Sequence, residues 1–298
     1  MTSLQKKCRD IVLENLPLRA ALMVEFLLYH RRFPNLDRPV TFNEKVEHRK
    51  LFDRDPRLPP LADKVLAKEH VARVLGSEWI IPTLWCGQAL PPRSERHWPI
   101  PYVLKGRHGS SMNLFIHCRQ DEDWASIECI TSKWLRARYG GPSREWLYSQ
   151  LQPGLLVEPN LGSTLSPPPD YKVFVFAGRA HLIQVDEGRG VDHKQWFYDL
   201  DWKRQLFEYA CPAGPVDLSP PASLDKMLWA AERLGKPFPF VRVDLYEIDA
   251  RPLFGELTFY PNAGRIGFKP KAVDAELGRL WALDYQPAPI AKNASTTN

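Results

Sequence analysis

Hydrophobic and polar positions divide the chain into a helical first third and a mixed remainder. The stretch TFNEKVEHRKLFD opens with Thr41 and has Glu44 three residues later, a spacing typical of a capping box at a helix start. The stretch LADKVLAKEHVARVLG continues the helical spacing, and Gly76 is placed to end that helix. The proline-bearing stretches 56–60 and 91–101 predict loops.

After residue 100, short apolar stretches alternate with helix-like ones. PYVLKG, NLFIHC and GLLVEPNLG predict strands, and DYKVFVFAGRAHLIQVDEG predicts a hairpin that turns at residues 177–179. DEDWASIECITSKWLRARYGG and SLDKMLWAAERLG predict helices. Hairpins interleaved with helices indicate an α+β fold. The tail from Gln286 is rich in Pro, Ala, Thr and Asn, so we expect it to be frayed.

A second hairpin, VRVDLYEIDARPLFGELTFYPNAG, carries acidic residues inside apolar stretches. If its turn centres on Ala250, then Asp244 lies opposite Glu256 and Arg242 lies opposite Thr258, with all four on one face. Directly opposed side chains have Cβ atoms about 4.5–5.5 Å apart, so the two carboxylates need compensation by a proton, by the arginine or by a divalent cation. The pattern alone leaves a magnesium site and a solvated hairpin equally open.

Other candidate residues lie at strand ends. Lys105 ends a strand and leads into the Gly/Ser-rich turn GRHGSS, whose backbone N–H groups suit phosphate oxygens. Glu158 ends the apolar strand LLVEPN, and Asp170 and Lys172 begin the next one. An ordinary hairpin loop and solvated strand ends are the alternatives for these groups.

Composition narrows the function classes. The 298 residues are 44% hydrophobic and 25% charged, as in an ordinary globular protein, and the net charge of +5 is too small to indicate nucleic-acid binding. The five cysteines form no C-x-x-C pair and predict free thiols. The apolar stretch 18–30 is too short to span a bilayer and is interrupted by Glu25, so a core-packing helix is favoured over peripheral membrane contact. We see no secretory signal and expect a cytoplasmic protein.

The order of the motifs resembles the ATP-grasp superfamily, specifically the TupA-like family of polysaccharide and teichuronopeptide biosynthesis. The matching stretches over about residues 40–282 are TFNEKVEHRKLFDRDP, LADKVLAKEHV, YVLKGRHGS, DYKVFVFAGRAHLIQVD, FYDLDW, PFPFVRVDLY and GELTFYPNAG. The resemblance implies two α+β lobes clasping ATP after a helical N-terminal region. We therefore expect a helical region at 1–98, a small lobe with the phosphate loop at 99–154, a large lobe with the metal site at 155–285 and a flexible tail at 286–298.

The resemblance also implies residue roles around ATP and Mg²⁺. Lys105 and Lys172 would contact phosphates, Ser110 would lie in the loop over them, and Arg242 would stabilise the transferring phosphoryl group. Glu158 would lie beside the adenine amine, backbone near Asn160 and Leu161 would contact the adenine edge, and Asp170 would bind the ribose. Asp244 and Glu256 would hold Mg²⁺. Thr258 stands where the family usually has an asparagine ligand, for which Asn262 is a candidate substitute, and Asp63 and Lys64 match a motif without an assigned role.

The activity implied by the resemblance is ATP-dependent ligation of a carboxylate to an amine, with release of ADP. The acceptor would be a carboxyl group of a small molecule, a glycan or a glycan precursor, and the donor an amino acid or another amine. Two alternatives share the fold: a kinase acting on a sugar hydroxyl, and a non-catalytic nucleotide-binding subunit of a polysaccharide assembly complex. The sequence does not specify the oligomeric state.

Overall fold

The computed structural model describes Leu13, Gly140 and residues 15–137, 144–162, 167–188 and 192–283. This part of the chain contains eight α-helices and nine strands, which confirms the α+β prediction. The helices are α1 (Leu18–His30), α2 (Phe42–Phe52), α3 (Leu58–Ala62), α4 (Lys64–Leu75), α5 (Trp124–Arg136), α6 (Trp146–Ser149), α7 (Leu224–Gly235) and α8 (Ala272–Leu280). The strands are β1 (Trp85–Gly87), β2 (Tyr102–Gly106), β3 (Asn113–Ile116), β4 (Leu155–Pro159), β5 (Asp170–Phe176), β6 (Arg179–Glu187), β7 (Lys194–Tyr198), β8 (Phe240–Ile248) and β9 (Arg251–Thr258).

The strands form two antiparallel sheets. The smaller sheet has the order β1-β4-β2-β3, and the larger has the order β7-β6-β5-β8-β9. Both faces of the larger sheet are packed. Helix α7 packs on one face, where Gly235 approaches Val175 and Val241, and Phe42 of α2 packs on the other, against Phe174, Phe176 and Phe240. Trp98, Ile127 and neighbours form a separate core under the smaller sheet. Two sheets with separate cores agree with the expected two lobes.

The helical first third forms as its local signals predict. Thr41 accepts a hydrogen bond from the Glu44 amide while the Glu44 side chain bonds back to the Thr41 amide, so the capping box predicted for α2 is present. Helix α4 ends at Gly76, as predicted. Helix α1 buries Ala21, Leu22, Glu25 and Phe26, which confirms a core-packing helix. Within the described ranges, no helix combines the length and apolar character needed to cross a bilayer.

The loop predicted at residues 56–60 is wrong in part. Residues 58–62 form the short helix α3, with Pro59 and Pro60 in its first turn. Proline is tolerated there because amides in the first turn of a helix have no intrahelical partner. The stretch that begins with LADK is therefore divided between two helices, since Asp63 ends α3 and caps α4.

Two strands fall outside the lobe boundaries expected from the sequence. Strand β4 was expected in the large lobe, but it pairs with both β1 and β2 in the smaller sheet. Residues 85–87, which the sequence assigned to the N-terminal helical region, form β1, an edge strand of that sheet. Backbone pairing therefore places residues 85–159 together, and we propose them as the small lobe. The predicted flexible tail at 286–298 lies outside the described residues.

Candidate functional site

The hairpin of β8 and β9 places four polar side chains on one face, as the sequence predicted. Asp244 pairs with Glu256 and Arg242 pairs with Thr258 across the two strands. The turn differs from the expected one, because Ile248 pairs with Arg251 around a two-residue turn.

A bulge restores the expected register. The pairing shifts by one residue between Asp244 and Leu245, where Gly255 is the extra residue on β9. A Cβ atom on Gly255 would lie 3.0 Å from the Asp244 carbonyl oxygen, so the strands approach closely there. Because one residue of slip moves a side chain to the other face, the bulge is what keeps Glu256 beside Asp244.

Arg242 is locked onto Asp244. Its Nε and Nη2 atoms donate to the two Asp244 carboxylate oxygens at 2.7 Å each, and Nη2 also donates to the Thr258 hydroxyl at 3.2 Å. The Thr258 hydroxyl in turn donates to Glu256 at 2.9 Å. Although burial opposes it, the Asp244 carboxylate raises the pKa of Arg242 above its ordinary value. The guanidinium is therefore a fixed positive charge beside both carboxylates.

Lys172 lies behind this group, in a cluster of buried acids. Its ammonium is paired with Asp170 and lies 3.4 Å from Asp186 and 3.3 Å from Asp244. Only 2% of its side chain is exposed. Three carboxylates thus surround the ammonium, and Lys172 is not part of the cavity wall described below, so its contact with a phosphate stays a prediction.

The polar face of the hairpin forms one wall of a cavity of about 810 Å³. Both lobes and helices α4 and α6 contribute to its lining. Among the predicted residues, the wall includes Lys105, Ser110, Glu158, Asp170, Arg242, Asp244, Glu256, Thr258 and Asn262. It also includes Lys64, Lys68, Glu145, Tyr148 and Arg265.

The adenine-edge residues fall outside this set. Asn160 and Leu161 do not belong to the cavity wall formed by the described residues. The Asn160 amide donates to the Pro101 carbonyl at 3.0 Å, and its side-chain oxygen accepts from the Gly162 amide at 3.1 Å. The Asn160 amide is thus engaged within the small lobe, and the contact of backbone near Asn160 and Leu161 with the adenine edge stays a prediction.

Glu158 is held between two lysines at the other side of the cavity. Its carboxylate is 4% exposed, lies 2.5 Å from the Lys105 ammonium and pairs also with Lys68. Burial alone would raise the pKa of Glu158, but Lys105 and Lys68 outweigh it and lower the pKa below its ordinary value. Burial, the largest influence, lowers the pKa of Lys68. Glu158 is therefore ionised, and both of its positive partners line the cavity with it.

The residues without an assigned role, Asp63 and Lys64, hold the Gly/Ser-rich turn after β2. Asp63 accepts from Arg107 Nε at 2.8 Å and from Arg107 Nη2 at 2.9 Å, and it also caps α4. The Lys64 amide donates to the Arg107 carbonyl at 3.3 Å, and its ammonium donates to the Gly109 carbonyl. Two consecutive residues of the helical region thus fix the start of the predicted phosphate loop.

The carboxylates of the cavity wall fit one Mg²⁺ ion. Within the described ranges, no cluster of three or more His, Cys, Asp or Glu side chains is arranged to hold a metal by itself. Asp244 and Glu256 nevertheless face each other on the wall, and the Glu256 side chain is 47% exposed. Mg²⁺ in nucleotide sites is bound by one or two carboxylates together with phosphate oxygens, which is the set this pair could complete. The Thr258 hydroxyl is engaged by Arg242 and Glu256 instead.

The two carboxylates differ in how their surroundings affect ionisation. Burial raises the pKa of Asp244 although Arg242 and Lys172 oppose it. Desolvation inside the cavity would by itself raise the pKa of Glu256, but Lys64, Arg242 and Lys172 outweigh it and lower that pKa. The Glu256 carboxylate is consequently ionised.

Two cavity lysines, Lys64 and Lys68, were not predicted as site residues from the sequence. They are four residues apart on α4 and therefore lie on one face of that helix. This spacing was a signal that could have been used. Tyr148, Glu145 and Arg265 gave no such signal, because α6 and the segment after β9 approach the cavity only through tertiary packing.

Comparisons with known proteins give a family for this chain. A family model described as TupA-like ATPgrasp matches residues 44–282. A search of curated proteins returned no match.

Solved structures similar to this chain include three ligases or synthetases. A D-alanine–D-alanine ligase from Bacillus anthracis shares 14% identity, with a TM-score of 0.41 over 66% of this chain and 56% of that one. The ATP-grasp ligase PsnB, complexed with a minimal precursor, shares 15% identity, with a TM-score of 0.39 over 70% and 58%. N5-carboxyaminoimidazole ribonucleotide synthetase from Thermus thermophilus shares 14% identity, with a TM-score of 0.40 over 73% and 52%. The chain spans less than two thirds of each.

Proposed function

Since the chain belongs to the TupA-like ATP-grasp family, we propose that it is an ATP-dependent carboxylate–amine ligase. It would form an amide through an acyl phosphate and release ADP. The acceptor would be a carboxyl group on a glycan or glycan precursor, and the donor an amino acid or another amine. The observation that carries this proposal is the cavity in which Lys105, Lys64 and Arg242 face the carboxylates of Asp244 and Glu256.

Phosphoryl transfer depends mainly on positioning and on neutralising charge. In the proposed reaction, Lys105 and Lys64 contact the phosphates, and Asp244 with Glu256 holds Mg²⁺. When bound, Mg-ATP supplies the activated phosphoryl group. Arg242 stabilises negative charge that develops on the transferring group, and its bidentate bond to Asp244 means that little reorganisation is needed.

Other predicted residues have supporting parts in this proposal. Ser110 and Asp170 both line the cavity; Ser110 would lie in the loop over the phosphates, and Asp170 would bind the ribose. Lys172 acts from behind the site, where its ammonium pairs with Asp170 and Asp244 and holds both side chains in place. Glu158 orients Lys105 and Lys68 rather than meeting the base alone.

The test is ADP release from Mg-ATP in the presence of panels of uronic acids, amino acids and peptides. A ligase should release ADP only with a carboxylate acceptor, and added hydroxylamine should trap the acyl phosphate as a hydroxamate. A kinase would leave phosphate on a hydroxyl and yield no hydroxamate. A non-catalytic subunit would bind ATP without turnover under any acceptor.

A matched pair of variants locates the activity. Glu256→Gln should lower ADP release by about a hundredfold, the scale of losing one charge-stabilising group. Glu208→Gln, in an exposed pair with Lys269 outside the cavity, should leave it unchanged. Equal activity in the two variants, or no turnover with any acceptor, would refute the ligase proposal.

A further inference from the structure

A second group of reactive side chains lies beyond the cavity, around the start of β7. The Cys211 sulfur is 3.1 Å from His193 Nδ1. The other ring nitrogen, His193 Nε2, is 3.4 Å from an Asp186 carboxylate oxygen. The three side chains therefore stand in the order thiol, imidazole, carboxylate.

The group combines a buried carboxylate with a partly exposed imidazole and a half-buried thiol. Asp186 is 1% exposed, and its carboxylate accepts hydrogen bonds from Gln184 Nε2 at 3.1 and 3.2 Å and from Gln195 Nε2 at 2.8 Å. His193 is 32% exposed. Cys211 is half-buried and lies between the exposed residues Ala210 and Pro212.

The Asp186 carboxylate acts on the imidazole through its charge, because it lies 3.4 Å from His193 Nε2 without a hydrogen bond between them. Two glutamines hold the carboxylate there, and its negative charge favours a proton on Nε2, which leaves Nδ1 to accept the thiol proton. A nucleophile within hydrogen-bonding reach of a base, with that base oriented by a third group, is the arrangement that activates Ser and Cys nucleophiles. Imidazole contact and partial exposure are also features of reactive rather than structural cysteines.

We propose that Cys211 is a modification site, an activated thiol that exchanges with small disulfides. His193 Nδ1 takes the thiol proton, and the Cys211 sulfur attacks one sulfur of the disulfide. A new sulfur–sulfur bond forms to Cys211, the original one breaks, and the other half leaves as a thiolate. No further oxidant is required, because the disulfide is the oxidised reactant.

The other cysteines provide an internal comparison. Cys86, Cys118 and Cys129 are exposed free thiols. Exposure alone would make them at least as reactive as the half-buried Cys211. A faster reaction at Cys211 would therefore be attributed to His193 and Asp186.

The experiment uses full-length variants that keep one cysteine, with the other four replaced by serine. One variant keeps Cys211 and the control keeps Cys118. Each is mixed near pH 6 with the chromophoric disulfide dithiodipyridine, and the release of thiopyridone is followed. At this pH an ordinary thiol is less than about 1% ionised, so a thiol that transfers its proton to an imidazole has a much larger reactive fraction. A stabilised thiolate is intrinsically less nucleophilic, which offsets part of this gain. We therefore expect Cys211 to react about tenfold faster than Cys118.

The base is tested in the Cys211 variant by His193→Gln. This side chain is partly exposed, so the substitution should be tolerated, and circular dichroism and thermal unfolding verify the fold. We expect the rate to fall to that of Cys118. Equal rates for Cys211 and Cys118, or a rate at Cys211 unchanged by His193→Gln, would overturn the proposal. The readout does not involve ATP, so its failure is separate from failure of the ligase proposal.

Discussion

Replacing Lys172 with methionine distinguishes a structural lysine from a phosphate ligand. The ammonium lies 3.3 Å from Asp244 and 3.4 Å from Asp186, and it also pairs with Asp170. At an effective dielectric constant of about 20, each unit pair at this distance is worth about 5 kcal/mol before desolvation. Desolvation of the ammonium offsets much of this sum, and removing one partner of a buried ion pair costs about 3–5 kcal/mol.

We therefore expect Lys172→Met to lower the free energy of unfolding by about 4 kcal/mol at neutral pH. The three remaining carboxylates repel one another, so the folded variant should take up a proton that the unfolded chain does not hold. An acid whose pKa is raised by folding destabilises the folded protein least at low pH, and its unfavourable effect on folding grows as pH rises. The deficit should thus shrink by about 1.4 kcal/mol per pH unit on acidification for each proton taken up.

Urea unfolding followed by circular dichroism at about pH 7 and about pH 5 measures both quantities. Lys105→Met is the matched control, because that side chain is 22% exposed and Glu158 keeps Lys68 as a partner. It should cost about 1 kcal/mol or less and weaken ATP binding instead. If Lys172→Met kept the stability of the parent protein and only weakened ATP binding, the ammonium would reach a phosphate, as the sequence predicted.

Three further predictions concern the loop, the hairpin and one buried acid. Asp63→Asn preserves helix capping but weakens the charged bidentate pair with Arg107, so amide hydrogen exchange in residues 106–112 should become about tenfold faster. The control Asp55→Asn, in an exposed pair, should leave that exchange unchanged. Equal exchange rates in the two variants would contradict the role of Asp63. Gly255→Val should lower stability by about 1–3 kcal/mol, since its Cβ would meet backbone at 3.0 Å, and an unchanged thermal midpoint would argue against the bulge. Burial raises the pKa of Glu47 to about 7, so its contribution to folding stability is fully retained below about pH 4.5 and is lost as pH rises to about 7. Over that window, the free energy of unfolding of Glu47→Gln should increase relative to the parent by about 1.4 kcal/mol per pH unit. Parallel pH–stability curves would refute this.

The hairpin shows how far a local pattern reaches. Alternation in β8 and β9 predicted that Arg242, Asp244, Glu256 and Thr258 share a face, and the pairing confirms it. The same reasoning placed the turn one position wrong and missed the bulge at Gly255. Two such errors compensate because a one-residue shift in the turn and one extra residue in a strand have opposite effects on register.

The lysines show where a local pattern stops. A lysine at a strand end looks the same in sequence at Lys105 and at Lys172, yet one faces the cavity and the other is enclosed by acids. The difference comes from β6 and β8, which bring Asp186 and Asp244 to Lys172 from distant parts of the chain. Likewise, nothing local to Glu158 predicted that Lys68 would arrive from α4 to pair with it.

The contribution of α4 to the cavity bears on how such a protein can be recombined. Lys64 and Lys68 come from the helical segment that precedes both sheets, and Asp63 connects that segment to Arg107. A chimera in which residues 1–84 were exchanged for those of a relative would therefore replace part of the cavity wall. It would also replace the side chains that hold the Gly/Ser-rich turn after β2. Because the helical segment and the Gly/Ser-rich turn depend on each other's side chains, recombination breakpoints between residue 64 and the turn should be disfavoured.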